Sequence, residues 1–119
     1  MTRQRTAIAV ALICATCAGA AHAQVNSVLR QLSRTGLVQE DINIMVRTGS
    51  DLYRSGNAVV GTDTIWSNPA TGAHGLVEVS SVEGDCVGLV YKFRARGRPA
   101  IQAVSSRRCL RNDRWVMAP

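Results

Sequence analysis

The spacing of apolar residues changes once along the chain, close to Val59. Before that point apolar residues recur every three or four positions, which is typical of amphipathic helices. The segment Arg34-Thr35-Gly36 interrupts this pattern and separates a short first helix from a second one, predicted over about Gln39–Arg54. The apolar face of the first helix is Val25, Val28, Leu29 and Leu32, and that of the second is Ile42, Met45, Val46, Leu52 and Tyr53, with Gly49 at its thinnest point.

Beyond Val59 the period falls to two, which favours strands. We predict five of them, over Thr62–Ser67, Ala73–Ser80, Cys86–Arg96, Ala100–Leu110 and Trp115–Met117. The polar segments between them are short, with turns expected at Ser81–Asp85, Gly97–Pro99 and Arg111–Asp113. Strands joined by short turns form an antiparallel meander. Helices followed by strands indicate an α+β fold, with the N-terminal helix or helices packed on a roughly five-stranded sheet.

The first residues have the pattern of an export signal. Arg3 and Arg5 precede an apolar run from Ala7 to Ala20, and Ala21-His22-Ala23 supplies a small-x-small cleavage site. We therefore expect residues 1–23 to be a signal peptide that is removed after Ala23. The run of about 14 residues is short for a membrane span. A retained anchor is one alternative, and a lipoprotein modified at Cys14 or Cys17 is another, although neither cysteine has a good lipobox.

Cleavage would leave 96 of the 119 residues, enough for one small domain. We divide this part into a short helical segment, 24–36, and an α+β domain, 37–119. It would carry 12 basic and 8 acidic residues, a net charge of +4. The charge is uneven, because residues 24–91 sum to −3 and residues 92–119 to +7. This cationic C-terminal part therefore needs an explanation.

Cys86 and Cys109 are the two cysteines outside the signal, and an even pair in an exported protein predicts a disulfide. The hairpin register supports the same pairing. A turn centred between Gly97 and Arg98 places Cys86 opposite Cys109, and directly opposed residues lie within disulfide range. Pro99 weakens this prediction because it lacks an N–H group for a tight turn. A shift of one residue would place the two sulfurs on opposite faces.

Trp66–Gly75, with the sequence WSNPATGAHG, lies between the first two predicted strands. Asn and Pro favour turns, and Gly supplies a positive φ, so turn formation is sufficient to explain the segment. This stretch, together with GDCVGLVYKF and RRCLRNDRW, resembles the C-terminal domain of the bacterial 17 kDa surface-antigen family. The shared positions are Trp66, Asn68, Pro69, Thr71, Gly72, Gly75, Cys86, Cys109 and Trp115.

The resemblance covers most of Leu37–Trp115, and LVQEDINIMVRTGSDLY is similar to the helix ahead of that domain. The chain departs from the family in lacking a glycine-zipper segment and a good lipobox, and in having Leu110 where Arg often follows the second cysteine. The first two departures weaken the inference of firm membrane attachment. The resemblance implies an envelope protein and brings no catalytic residue with it.

Candidates for chemistry are few. His74 is the one histidine beyond the expected cleavage site, and it lacks an evident partner for acid–base catalysis or the three or four ligands of a metal site. Trp66 and Trp115 could stack on sugar rings, but tryptophans of small domains more often belong to the core. We therefore predict no catalytic residue, no metal and no cofactor.

The segment YKFRARGRP has the clearest charge pattern. Side chains alternate faces along a strand, so Lys92, Arg94 and Arg96 should share one face, with Arg98 in the following turn. Tyr91, Phe93 and Ala95 should share the other face. The cations are either a solvated face or an anion-binding strip. For an exported protein the anions would be lipid or lipopolysaccharide rather than nucleic acid.

These observations favour a non-enzymatic exported protein, in the periplasm or associated with the outer membrane, with a structural or interaction role. Its partner would be an anionic lipid, lipopolysaccharide or another envelope protein. A periplasmic inhibitor or chaperone-like protein binder is the alternative from a second class. A cell-wall hydrolase is the third, although the acidic residues form no convincing catalytic pair.

Overall fold

The computed structural model describes residues 30–119, and the predicted signal peptide and most of segment 24–36 lie outside this range. Residues 30–33 are helical, and a turn follows at 34–36, where Gly36 has a φ of 84°. The elements that follow are helix α1 (Gln39–Asp51) and strands β1 (Asp63–Ser67), β2 (His74–Glu83), β3 (Cys86–Arg94), β4 (Gln102–Arg111) and β5 (Arg114–Ala118). No helix in the described range is long and apolar enough to cross a membrane.

The five strands form one antiparallel sheet in the order β1-β2-β3-β4-β5, so each pairs with its neighbours in the sequence. The α+β class and the five-stranded meander are therefore confirmed. Helix α1 packs mainly over β1 and β2. It covers the face of the sheet that carries Val77, Leu89 and Phe93, and all three side chains are buried. We call this the inner face, and the opposite one the outer face.

Several predicted element ends are wrong. Strand β3 ends at Arg94 instead of Arg96, and β4 begins at Gln102 instead of Ala100. Two larger differences concern α1 and β2. Helix α1 stops at Asp51 instead of Arg54, because Leu52 and Tyr53 donate to carbonyls three residues back, at Gly49 and Ser50, and tighten the last turn. Strand β2 continues through the predicted turn at 81–85 as far as Glu83, and leaves only Gly84 and Asp85 as the loop. A register shift between Val79 and Ser81 keeps this longer strand paired with β3.

The β3–β4 hairpin has the predicted register. Lys92 pairs with Ala103 and Cys86 pairs with Cys109, whose Cα atoms are 4.0 Å apart and whose sulfurs form the predicted disulfide. The turn itself differs from the prediction. Strand β3 ends at Arg94, and Arg98 N–H donates to the Ala95 carbonyl at 3.1 Å, so a tight turn precedes Pro99. Pro99 lies in the wider part of the loop, where no ladder hydrogen bond is required of it.

Candidate functional site

The carboxylate of Asp41 is the buried centre around which the segment 66–75 folds. Asp41 is the third residue of α1 and is 1% exposed. Its Oδ2 accepts a hydrogen bond of 3.0 Å from the Val38 N–H, one of the amide groups that the start of a helix leaves without a partner. The N-cap residue, Val38, makes no side-chain hydrogen bond in return. The contact therefore ties the carboxylate to the first turn of its own helix.

Two side chains of the loop between β1 and β2 donate to the other oxygen of the same carboxylate. Asn68 Nδ2 lies 2.7 Å from Asp41 Oδ1, and Thr71 Oγ1 lies 2.6 Å from it. Hydrogen bonds to a carboxylate are shorter and stronger than those between neutral groups. Asp41, Asn68 and Thr71 form what we call the Asp41 cluster, which joins the start of α1 to the β1–β2 loop.

The pKa of Asp41 reflects two opposing effects. Burial alone would raise it, because a carboxylate loses its hydration, but the hydrogen bonds from Thr71, the Val38 amide and Asn68 favour the charged form. The result is a pKa below the ordinary value of 3.8. Asp41 is therefore ionised near neutral pH, and three donors from the protein stabilise its charge.

The remaining positions of the segment also have structural roles. Trp66 is 4% exposed and belongs to the core. Gly72 has a φ of 80°, in the left-handed region that favours glycine. A Cβ at Gly75 would collide with the Lys92 carbonyl oxygen and lie 2.8 Å from the Phe93 Cα, so the close approach of β2 to β3 requires glycine there. Pro69 is exposed, and its place in the turn is sufficient to explain it.

His74 is exposed at the start of β2, with its Nδ1 3.0 Å from the Gly72 carbonyl oxygen. It pairs across the sheet with Arg94. No group of three or more metal-ligating side chains occurs within residues 30–119. The other tryptophan, Trp115, is half-buried and packs edge-on against Tyr53, with ring centroids 4.8 Å apart. Trp66 is therefore a core residue, whereas Trp115 keeps part of its ring accessible.

Lys92, Arg94 and Arg96, which we call the basic strip, are all exposed, while Tyr91, Phe93 and Ala95 between them are buried. Lys92 and Arg94 project from the outer face. Arg96 lies just beyond the end of β3, in the turn that starts at Ala95. Arg94 and Arg96 line a depression of about 470 Å³ together with His74. The structure thus brings the histidine of the loop close to the basic strip, which the sequence does not reveal.

Arg98 differs from the three residues of the basic strip. Its Nη1 donates to the Arg34 carbonyl at 2.9 Å, and its side chain packs against Gly36. It also lines the depression beside Arg96. Because one end of its guanidinium is used to hold the 34–36 turn against the β3–β4 loop, Arg98 has a structural contact that the strip residues lack within the described range.

Sequence reasoning missed the role of Asp41. Its place in the first helical turn indicated only a favourable interaction with exposed N–H groups. The signal that could have found it lies in the loop, since Asn68 and Thr71 are both short polar donors spaced three residues apart. Their acceptor, Asp41, is 27 and 30 residues away in the sequence, and only the fold brings it within hydrogen-bond distance.

Comparison with known proteins identifies no relative: no family model, curated protein or solved structure matches the chain. The resemblance to the surface-antigen family therefore stays a prediction.

Proposed function

We propose that this chain is a non-enzymatic exported envelope protein, similar in role to the surface antigens, whose basic strip binds anionic membrane surfaces. The observation that carries the proposal is the exposure of Lys92, Arg94 and Arg96 beside one another, above a β3 inner face that is buried. Within residues 30–119 the structure records a single ion pair, between Arg107 and Glu83 at 4.0 Å. The charges of the strip are therefore free to attract an external anion.

The neighbours of Lys92 favour a lipid surface over a soluble polyanion. Cross-strand pairing aligns Ile65, Leu76, Lys92 and Ala103 in one row across the outer face. Ile65 is 83% exposed, and Ile101, beside the strip, is 64% exposed. A surface that combines cations with exposed aliphatic side chains suits the boundary between headgroups and acyl chains. A soluble polyanion would make no favourable contact with the aliphatic groups.

Binding to vesicles tests this proposal. Each basic residue near an anionic surface contributes about 1 kcal/mol, and the contribution falls with salt. The variant K92Q/R94Q/R96Q should bind vesicles of phosphatidylcholine with phosphatidylglycerol up to roughly a hundredfold more weakly than the native chain at low salt. The matched control, R30Q/R34Q/R111Q, removes three exposed charges elsewhere. An equal loss of binding in both variants would show that net charge alone causes it. Unchanged binding of the strip variant would show that the basic strip is only a solvated face.

Export is the other part of the proposal. The Arg-led start, the short apolar run and Ala21-His22-Ala23 support it, and a disulfide such as Cys86–Cys109 persists in oxidising compartments. Intact-mass analysis of protein recovered from the periplasm should give a chain that begins at Gln24. A diacylglycerol adduct on Cys14 or Cys17 would instead make the protein a lipoprotein.

A further inference from the structure

A second cationic region lies on the inner face, where helix α1 leaves the sheet uncovered. Because α1 packs mainly over β1 and β2, a groove of about 650 Å³ lies between the helix and the β4–β5 end of the sheet. Four arginines line it, Arg47 and Arg54 from the helical side, and Arg108 and Arg114 from the strands. We call this region the arginine groove.

The charge of the arginine groove is not balanced from within. Its other lining residues are Asn43, Val46, Ser50, Tyr53 and Trp115, so none of the described residues that line it is acidic. None of its four arginines takes part in the ion pair recorded for residues 30–119. The four positive charges around this cavity repel one another, and an anion bound between them would offset that repulsion.

Arg108 is the least exposed of the four arginines. It pairs with Val87 on β3 and Met117 on β5, which places it on the inner face among apolar neighbours. Its Nε is buried and makes no hydrogen bond to any described residue. A buried polar group without a partner is destabilising, and more so when the group is charged. Arg108 also lines the groove, and the Nη groups of its guanidinium can donate to a ligand oxygen there.

The aromatic residues that line the groove indicate which non-phosphate part the ligand would carry. Trp115 is half-buried, and Tyr53 supports its ring edge-on. Planar guanidinium groups bind phosphate in a bidentate manner, whereas an indole ring offers apolar or stacking contact. The volume of the groove lies within the roughly 300–1,000 Å³ typical of ligand sites. The arrangement therefore suits a ligand with more than one anionic oxygen group beside an apolar or ring-shaped part.

We propose that the arginine groove is a binding site for a phosphate-bearing ligand, held by Arg47, Arg54, Arg108 and Arg114 with its non-phosphate part against Trp115. This site is separate from the basic strip and does not rest on the envelope role. The ligand is either a soluble phosphate compound or a phospholipid headgroup, which share the chemistry that the groove recognises.

The two indole N–H resonances of the full chain provide the test. Inorganic pyrophosphate added at low salt should shift the Trp115 resonance, assigned with Trp115→Phe, and leave that of the buried Trp66 in place. Dihexanoylphosphatidylglycerol below its micelle concentration is the second arm. Tighter binding of this monomeric lipid identifies a headgroup site, and tighter binding of pyrophosphate identifies a soluble phosphate. Absence of a Trp115 shift with both probes overturns the proposal.

Variants at exposed positions sharpen the test without touching the core. R54Q/R114Q should weaken pyrophosphate binding at least tenfold, because each lost charged hydrogen bond is worth about 1.5–3 kcal/mol. R54K/R114K keeps the charge but removes the bidentate fork, and it should also bind more weakly than the native chain. The control K92Q/R94Q removes the same charge from the outer face. An equal loss in this control overturns the proposal, whereas native affinity in the control supports a site in the groove.

Discussion

The two halves of the sheet are stabilised in different ways. The β1–β2 half lies under α1, and its buried carboxylate is fully paired, since Asp41 accepts from Val38, Asn68 and Thr71. Of its other buried polar atoms, Trp66 Nε1 has no hydrogen-bond partner among the described residues. The β4–β5 half lies largely outside the helix and is fixed by the Cys86–Cys109 disulfide. Its buried charge is not paired in the same way, because Arg108 Nε makes no hydrogen bond to a residue within 30–119.

This difference separates a structural region from a candidate binding region. In the covered half, one oxygen of Asp41 holds the helix to the β1–β2 loop and the other caps the first turn of the helix. The carboxylate is also buried, so it is not available to a ligand. The open half obtains its rigidity from a covalent bond on the outer face, so its inner face can present arginines that the fold does not neutralise. A covalent constraint near unpaired charges allows a site to be both rigid and available.

The largest expected effect comes from removing the disulfide. The bond closes a loop with a sequence separation of 23, for which the chain-entropy model gives about 3 kcal/mol. C86S/C109S should therefore lower the free energy of unfolding in urea by about this amount, and hydrogen exchange should accelerate in β4 and β5 more than in α1. The reduced native chain is the control and should match the variant. Equal acceleration in both halves would contradict the claim that the disulfide stabilises mainly the β4–β5 half.

The second effect concerns the covered half. Asp41→Asn keeps one acceptor oxygen but turns an amide group towards donors, and it loses the charge-assisted hydrogen bonds. We expect a loss of about 2 kcal/mol in urea unfolding. Asp51→Asn makes the same chemical change at an exposed position of the same helix and should alter stability by less than about 0.5 kcal/mol. Similar losses in the two variants would contradict the role given to the Asp41 cluster.

A smaller effect is expected where α1 meets the middle of the sheet. A Cβ at Gly49 would collide with the Tyr91 hydroxyl and lie 2.9 Å from its Cε1. Overpacking costs about 1–3 kcal/mol, and the better helix propensity of Ala returns about 1 kcal/mol. Gly49→Ala should therefore lose about 1 kcal/mol net. Adding Tyr91→Phe should recover part of this loss in a double-mutant cycle, and additive losses would exclude the contact.

The smallest effect is a pH dependence. The pKa of folded Asp41 lies below its ordinary value, so the unfolded chain takes up a proton first as the pH falls. The stabilising contribution of this carboxylate is complete above about pH 4 and is lost as the pH falls through the folded pKa. Urea unfolding between about pH 6 and pH 2 should show the native chain and Asp41→Asn converging in stability. A constant difference across this range would exclude the ionised carboxylate as the cause.

The sequence was sufficient to predict strand faces and hairpin register, which depend on residues that are close together along the chain. Alternation placed Lys92 and Tyr91 on opposite faces, and the predicted centre of the hairpin gave the register that joins Cys86 to Cys109. The tight turn itself lies at 95–98 and was not predicted. Strand ends were less predictable, because β2 absorbs its extra residues in an irregularity near Ser80 that no apolar pattern marks. Burial of Asp41 depends on donors about 30 residues away.

The face on which Arg108 lies could have been predicted from the sequence. The segment SSRRC shows no alternation, so its inward face cannot be read from polarity. The disulfide resolves this, since Cys86 shares a face with Lys92 and its partner Cys109 must lie on the same side. The preceding residue, Arg108, then lies on the inner face with Tyr91. The groove formed around it depends on where α1 stops covering the sheet, which is a tertiary property.

The consecutive strand order has a consequence for the order of assembly. Every contact of the Asp41 cluster is made by residues 38–71, so α1 and the β1–β2 hairpin can be joined before the C-terminal strands are available. Strands β3, β4 and β5 then add one hairpin at a time to an existing edge, and each closes only a short loop. If the strands add in this order, the disulfide forms late and locks a register that hydrogen bonds have already selected. Oxidation would then fix the finished hairpin rather than direct the search for it.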